Sequence, residues 1–272
     1  MDGLEKGRTM VAEMLAKDKV AGFLGLRMVD GHPIPYLFTK AEELEELYLG
    51  EVRYPLTKLL IRQARKYPDN TFGIFARACD ERSLIELYKN QQLSPEKVTF
   101  LGVACSGELA EKCDCLRPYP SRIDIGEKVE HQVDPARVKE IEAMPEDERH
   151  RYWMDQFTKC IKCYGCRDIC PVCFCPSCTL EDHNLVQLGG MPPQIPIFHL
   201  VRAMHMADRC IDCGLCEEAC PANIPLRTLY RKVRETVEKL FGYLPGENME
   251  DLPPLETLGE GTFEVCRTCE EK

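Results

Sequence analysis

No stretch of this sequence approaches the roughly 20 consecutive apolar residues that cross a bilayer. The opening segment MDGLEKGRTMVAEMLAKDK sets charges among its apolar positions, where an export signal would carry an unbroken apolar core and a small-residue cleavage site. A basic surplus is missing too: 35 Lys and Arg stand against 45 Asp and Glu, for a formal net charge of −10. Proteins that track phosphate backbones concentrate positive charge, so nucleic acid is not an expected partner. There is no G-x-G-x-x-G fingerprint for a Rossmann-type nucleotide site, and the six histidines are scattered, with no paired acid, base or nucleophile. His199 and His205 read as packing or surface residues. These absences predict a soluble, cytoplasmic chain with no catalytic constellation of its own.

What the sequence has in abundance is cysteine. Seventeen in 272 residues would suit a disulfide framework only in an exported protein, and here the number is odd and the chain long. In a reducing compartment, thiolates at short fixed spacing point instead to metal ligation. With 44% hydrophobic residues the chain can also bury a real core.

Residues 1–133 read as an α/β or α+β domain. Apolar runs predict strands over Val20–Val29, Thr71–Ala76 and Val98–Ala104, and helices over Glu42–Tyr48, Pro55–Tyr67 and Glu81–Asn90. Leu56, Leu59 and Leu60 share one helix face, and Leu84, Leu87 and Tyr88 another. Alternating strand and helix imply a small parallel or mixed sheet flanked by helices. Charge-rich 134–158 reads as a helical linker, with Val138, Ile141 and Met144 at helical spacing. A cysteine-dense segment, 159–225, follows. Its insertion at 171–209 contains a loop marked by Pro192, Pro193 and Pro196, then a helix over Ile197–Met206. Leu226, Leu229, Val233, Val237 and Leu240 predict a core-facing helix. It opens a C-terminal region, 226–272, whose tail is expected on the surface or on a partner.

Two runs match one template: Cys160-Ile-Lys-Cys163-Tyr-Gly-Cys166-Arg-Asp-Ile-Cys170-Pro171 and Cys210-Ile-Asp-Cys213-Gly-Leu-Cys216-Glu-Glu-Ala-Cys220-Pro221. Both are C-x2-C-x2-C-x3-C-P, so the segment resembles dicluster bacterial ferredoxins. The resemblance implies two [4Fe–4S] clusters with crossed ligands. Cys160, Cys163 and Cys166 take Cys220, while Cys210, Cys213 and Cys216 take Cys170. The competing reading is tetrahedral zinc on C-x2-C pairs. Lys159, Lys162, Arg167 and Arg209 add positive charge near the sulfurs, and Asp212, Glu217 and Glu218 add negative charge; all read as solvated surface groups.

Nine thiols remain. Cys79 follows one predicted strand, Cys105 follows the next, and Cys113-Asp114-Cys115 comes shortly after. If the strands are neighbours, these four meet at the carboxyl edge of the sheet, where α/β folds place ligands, as candidates for a third cluster. Inert core cysteine is the alternative. Cys173, Cys175 and Cys178 offer a further metal site, completed by Cys115, Cys266 or Cys269, or holding zinc. Cys266-Arg-Thr-Cys269 alone is a metal half-site or redox pair.

Phe75-Ala-Arg-Ala-Cys79-Asp-Glu-Arg-Ser-Leu84, Leu101-Gly-Val-Ala-Cys105, Cys113-Asp-Cys115 and Asp124-Ile-Gly126 resemble the flavin-bearing domain of the coenzyme F420 hydrogenase/dehydrogenase beta-subunit family, over roughly residues 20–130. The resemblance implies an α/β domain, FAD, and electron shuttling for hydrogenases, formate dehydrogenases and related anaerobic complexes. Two departures stand out: the ferredoxin segment follows the domain, and the domain is shortened. The leading expectation is an iron–sulfur electron-transfer subunit. It would join a catalytic subunit, such as a formate dehydrogenase or hydrogenase, to a heterodisulfide-reductase-like or other acceptor. The alternatives are a flavin-dependent oxidoreductase acting on F420, NAD(P) or a similar carrier, and a zinc-containing redox scaffold.

Overall fold

The computed structural model describes residues 3–182, 184 and 197–255. The described residues form a five-stranded mixed sheet in the order β2-β1-β4-β5, with β3 pairing β1 from beyond that path. Strand β1 (Gly22–Val29) runs antiparallel to β2 (His32–Phe38) and to the short β3 (Leu47–Tyr48). It runs parallel to β4 (Phe72–Ala76), which is in turn parallel to β5 (Val98–Gly102). Strands buried on both faces lose the polar alternation of half-exposed ones, which is why Gly22–Leu26 and Phe72–Ala76 read as continuous apolar runs. Phe23, Phe75 and Leu101 face a core closed by Val11 of helix α1 (Gly3–Ala16). Leu24, Phe72 and Ile74 face the opposite core, closed by Leu56, Leu60 and Ile61 of α2 (Leu56–Lys66) and Leu84 and Leu87 of α3 (Ala78–Lys89). Each large apolar side chain so buried contributes roughly 1.5–3 kcal/mol before entropy is counted.

The three predicted strands and the helices over 55–67 and 81–90 occur with shifted ends. Glu42–Tyr48, expected as one helix, divides into a 3₁₀ turn, Ala41–Glu46, and β3, because Leu47 turns inward to pair with Arg27. The 134–158 helix is likewise two, α5 (Ala136–Ala143) and α6 (Glu146–Thr158), broken where Pro145 cannot continue the ladder.

After β5 come α4 (Gly107–Lys112) and a loop, then the cysteine-dense segment. There α7 (Gly165–Asp168), α8 (Ile197–His205), α9 (Leu215–Glu218) and α10 (Leu226–Phe241) surround a third core of Phe157, Val172, Met206, Ile211, Ile224 and Tyr230. Leu226 and Val237 bury the expected stripe of α10, but Leu240 lies 68% exposed, one turn past the end of the packed surface. The loop around Pro192, Pro193 and Pro196, the end of the tail, and Cys266 and Cys269 lie outside the described residues.

Candidate metal centres

The two cysteine runs fold as copies of one loop. Lys162 and Asp212, each just before the second cysteine, have φ of 53° and 55°; Tyr164 and Gly214, each just after it, have φ of 59° and 77°. Left-handed residues on either side of a cysteine turn the neighbouring backbone N–H groups inward, as in anion-binding nests. The Lys162 N–H points to Cys160 Sγ at 3.4 Å, and the Asp212 backbone lies correspondingly beside Cys210, where it lowers the thiol's pKa. A tyrosine in this conformation is strained. Its ring is held by the Leu180 carbonyl, which accepts from the hydroxyl at 2.8 Å, and by Arg167, 4.7 Å from the ring centre. Each loop then enters a one-turn helix, α7 or α9, that delivers the fourth cysteine.

The thiols fall into two sets. Burial raises the pKa of Cys166, and beside Arg202 the neighbours that act on it are Cys160, Cys163 and Cys220. Burial also raises Cys210 to about 12 and Cys213 to about 11, with Cys170 a neighbour of both. Cys216 has Cys213, Cys210 and Cys170 around it. Cys170, Cys210, Cys213 and Cys216 line one cavity of about 370 Å³. Each set therefore unites three cysteines of one run with the last cysteine of the other.

A second cavity, of about 350 Å³, is lined by Cys79, Cys105, Cys113 and Cys115. Parallel pairing of β4 with β5 brings the first two together: Cys79 enters α3 just after β4, and Cys105 follows β5. Cys113 ends α4 and Cys115 lies beyond Asp114, another left-handed residue with φ of 41°. Burial pushes the Cys105 thiol to about 11 and the Cys79 thiol well above its usual range. Two arginines, Arg82 buried and Arg53 half-buried, face this set. Arg82 Nη2 lies 3.8 Å from Cys115 Sγ while its Nε has no partner, and Arg53 stands beside Cys79 and Cys113. Arg53 favours the thiolate forms of Cys79 and Cys113, and it also pairs with Glu218. Cys213 lines this cavity as well, so the third set adjoins the second.

Cys115 thus belongs with Cys105 and Cys113, not with the insertion. Cys173, Cys175 and Cys178 instead line a broad groove of about 1900 Å³. Arg202 lies beside Cys173, and Arg167 beside Cys178. Among the described residues no three His, Cys, Asp or Glu side chains are placed to share a single metal ion.

The charges read from sequence as solvated are mostly committed. Asp212 accepts from Arg227 Nε at 2.6 Å and Arg231 Nε at 3.0 Å. Burial opposes its ionisation, but these guanidiniums outweigh it and hold its pKa below the usual range. Glu218 pairs with Arg53, Glu217 with Arg137, and Arg167 with Asp168 and Glu181. Arg53, Arg227 and Arg231 were not legible as site residues, because their partners lie far away along the chain. The Asp between cysteines in both Cys113-Asp114-Cys115 and Cys210-Ile-Asp212-Cys213 was the available signal.

The fold and its thiols define an iron–sulfur protein of ferredoxin type joined to a mixed α/β domain. A 4Fe–4S binding domain model matches residues 204–225. The chain is 44% identical over 103 residues to the F420-dependent formate dehydrogenase subunit beta of Methanocaldococcus jannaschii, a match covering 38% of this chain and 27% of that protein. It is 39% identical over 148 residues to the F420-dependent formate dehydrogenase 1 subunit beta of Methanococcus maripaludis, covering 51% and 36%. The matches span between a quarter and two fifths of these curated relatives. Among the described residues no helix is long and apolar enough to cross a membrane.

Proposed function

We propose that this chain is an electron-transfer subunit of a formate-dehydrogenase-type complex, with Cys160, Cys163, Cys166 and Cys220 ligating a first [4Fe–4S] cluster and Cys170, Cys210, Cys213 and Cys216 a second. The observation that carries the reading is the meeting of Cys170 with Cys210, Cys213 and Cys216 around one cavity, the crossed arrangement of paired ferredoxin clusters. A cubane held by these four thiolates would supply one-electron transfer. The residues around it supply N–H donors from the paired left-handed turns, exclude water through Ile211, Val172 and Met206, and place a cation at Arg202. The cavity at Cys79, Cys105, Cys113 and Cys115 extends the same reading to a third cluster next to Cys213. The relatives' names motivate catalytic and electron-accepting partner subunits in the same complex.

One observation favours the flavin alternative. A pocket of about 630 Å³ between the sheet and the cysteine-dense segment is lined by Tyr48, Arg53, Phe75, Arg77, Cys79 and Cys213, among others. An aromatic, cationic wall beside cluster ligands suits a flavin. Iron, sulfide, zinc and flavin per chain on anaerobically isolated protein test both points. About eight iron per chain are expected for two cubanes and about twelve for three. Zinc in place of iron would overturn the electron-transfer reading, and stoichiometric flavin would establish the second.

A further inference from the structure

Arg202 belongs to α8, inside the insertion that sets this chain apart from an ordinary dicluster ferredoxin, and it is 3% exposed. An ionised arginine is rarely buried without a carboxylate, since removing its charge from water is costly unless an anion faces it. No Asp or Glu pairs with Arg202 among the described residues, and Nη2 donates to the Cys166 carbonyl at 2.6 Å while Nε is buried with no acceptor. The Tyr230 ring centre lies 6.0 Å from the guanidinium, at the limit of a cation–π contact. What Arg202 does face is sulfur. It lines the cavity of Cys170, Cys210, Cys213 and Cys216, and through Cys166 it also touches the first set.

We propose, resting on the cluster assignment above, that Arg202 is a shared cation lying between the two ferredoxin-type clusters and raising the reduction potential of both. A cubane held by four thiolates is anionic when oxidised and carries one more negative charge when reduced. A fixed positive charge beside it therefore favours the reduced form, and charge near the cluster is a recognised lever on potential. The guanidinium cannot lose its proton in a protein, so its influence is independent of pH. A packing arginine would be expected to pair with a carboxylate or reach solvent, and among the described residues Arg202 does neither.

The test is a dithionite titration of the full chain, followed by EPR and isolated anaerobically, in Arg202→Gln and Arg202→Lys. Both midpoint potentials should fall in Arg202→Gln and stay near the native values in Arg202→Lys. Iron retained by the lysine variant and lost from the glutamine variant would report the same charge requirement at assembly. Unchanged potentials in a fully loaded Arg202→Gln would overturn the proposal. So would iron loss from both variants, since shape rather than charge would then be what the site requires. Failure of the underlying cluster assignment reads differently, as native protein without iron.

Discussion

Arg227 donates to the carbonyl of Cys113 and, through Nε at 2.6 Å, to the carboxylate of Asp212. One guanidinium thus ties the loop that follows the sheet to the loop that carries the second cysteine run. Arg231, one turn later on α10, repeats the bond to Asp212 and adds one to the Asp114 carbonyl at 2.7 Å. Arg53, bonded to the Cys213 carbonyl, and Lys58, bonded to the Asp168 carbonyl, join the same two parts of the molecule from the sheet side.

Arg227→Met should therefore destabilise the fold by about 3 kcal/mol, because it leaves Asp212 buried with half its compensation. Urea unfolding of anaerobic protein checks this. A loss well under about 1 kcal/mol would mean that Arg231 alone suffices.

The crossed thiol sets make a prediction about paired substitutions. Cys170→Ser and Cys210→Ser combined should lose no more iron than either alone, about four per chain, because both serve one cubane. Cys160→Ser with Cys170→Ser should lose about eight. Equal losses in the two double variants would contradict the crossed arrangement.

A Cβ added at Gly102 would lie 1.7 Å from the Arg122 carbonyl oxygen. The Gly102 N–H also donates to Asp124 Oδ2 at 2.7 Å, and its carbonyl accepts from the N–H groups of Asp124 and Ile125 at 2.8 and 3.0 Å. Gly102→Ala should displace residues 120–125 and cost about 1–3 kcal/mol, in the range of other overpacking changes. Thermal melts would detect it, and a variant as stable as the native chain would show that the loop yields freely.

His199 is buried, stacked on Phe157 with ring centres 4.6 Å apart, and neither ring nitrogen has a partner among the described residues. Burial, aided by Arg202, lowers its pKa from 6.5 to about 4. The unfolded chain therefore binds the proton first as pH falls, and stability on the order of 3 kcal/mol is lost between about pH 6.5 and 4. Asp80 acts oppositely, because burial raises its pKa from 3.8 to about 6 and the folded chain binds that proton first. In His199→Phe only the Asp80 contribution of the two remains. Stability measured at pH 7 and pH 4.5 should then shift in favour of the variant on acidification, and parallel curves would refute the assignment.

Local spacing made much of this legible in sequence. The strands of the parallel core announce themselves because both faces are apolar, and the eight ferredoxin-type cysteines because each loop is short enough to encode its own geometry. β2 escaped notice since Pro33 and Pro35 argue against a strand. It survives at the sheet edge, where prolines two residues apart can turn their missing N–H groups away from β1. Arg202 and Arg227 could not be found by pattern. Arg202 meets Cys166 across 36 positions and Arg227 meets Cys113 across 114, and nothing in a local window distinguishes either from a surface arginine.

Cys163 is exposed, whereas Cys166 and Cys170 are buried, and Arg53, bonded to the Cys213 carbonyl at 2.7 Å, covers the second set from the sheet side. On the proposed ligation, dissolved oxygen meets this protein first at one corner of the first centre. Corrosion in air would begin at that corner, so a protein stripped of its first centre alone would be the earliest product of exposure.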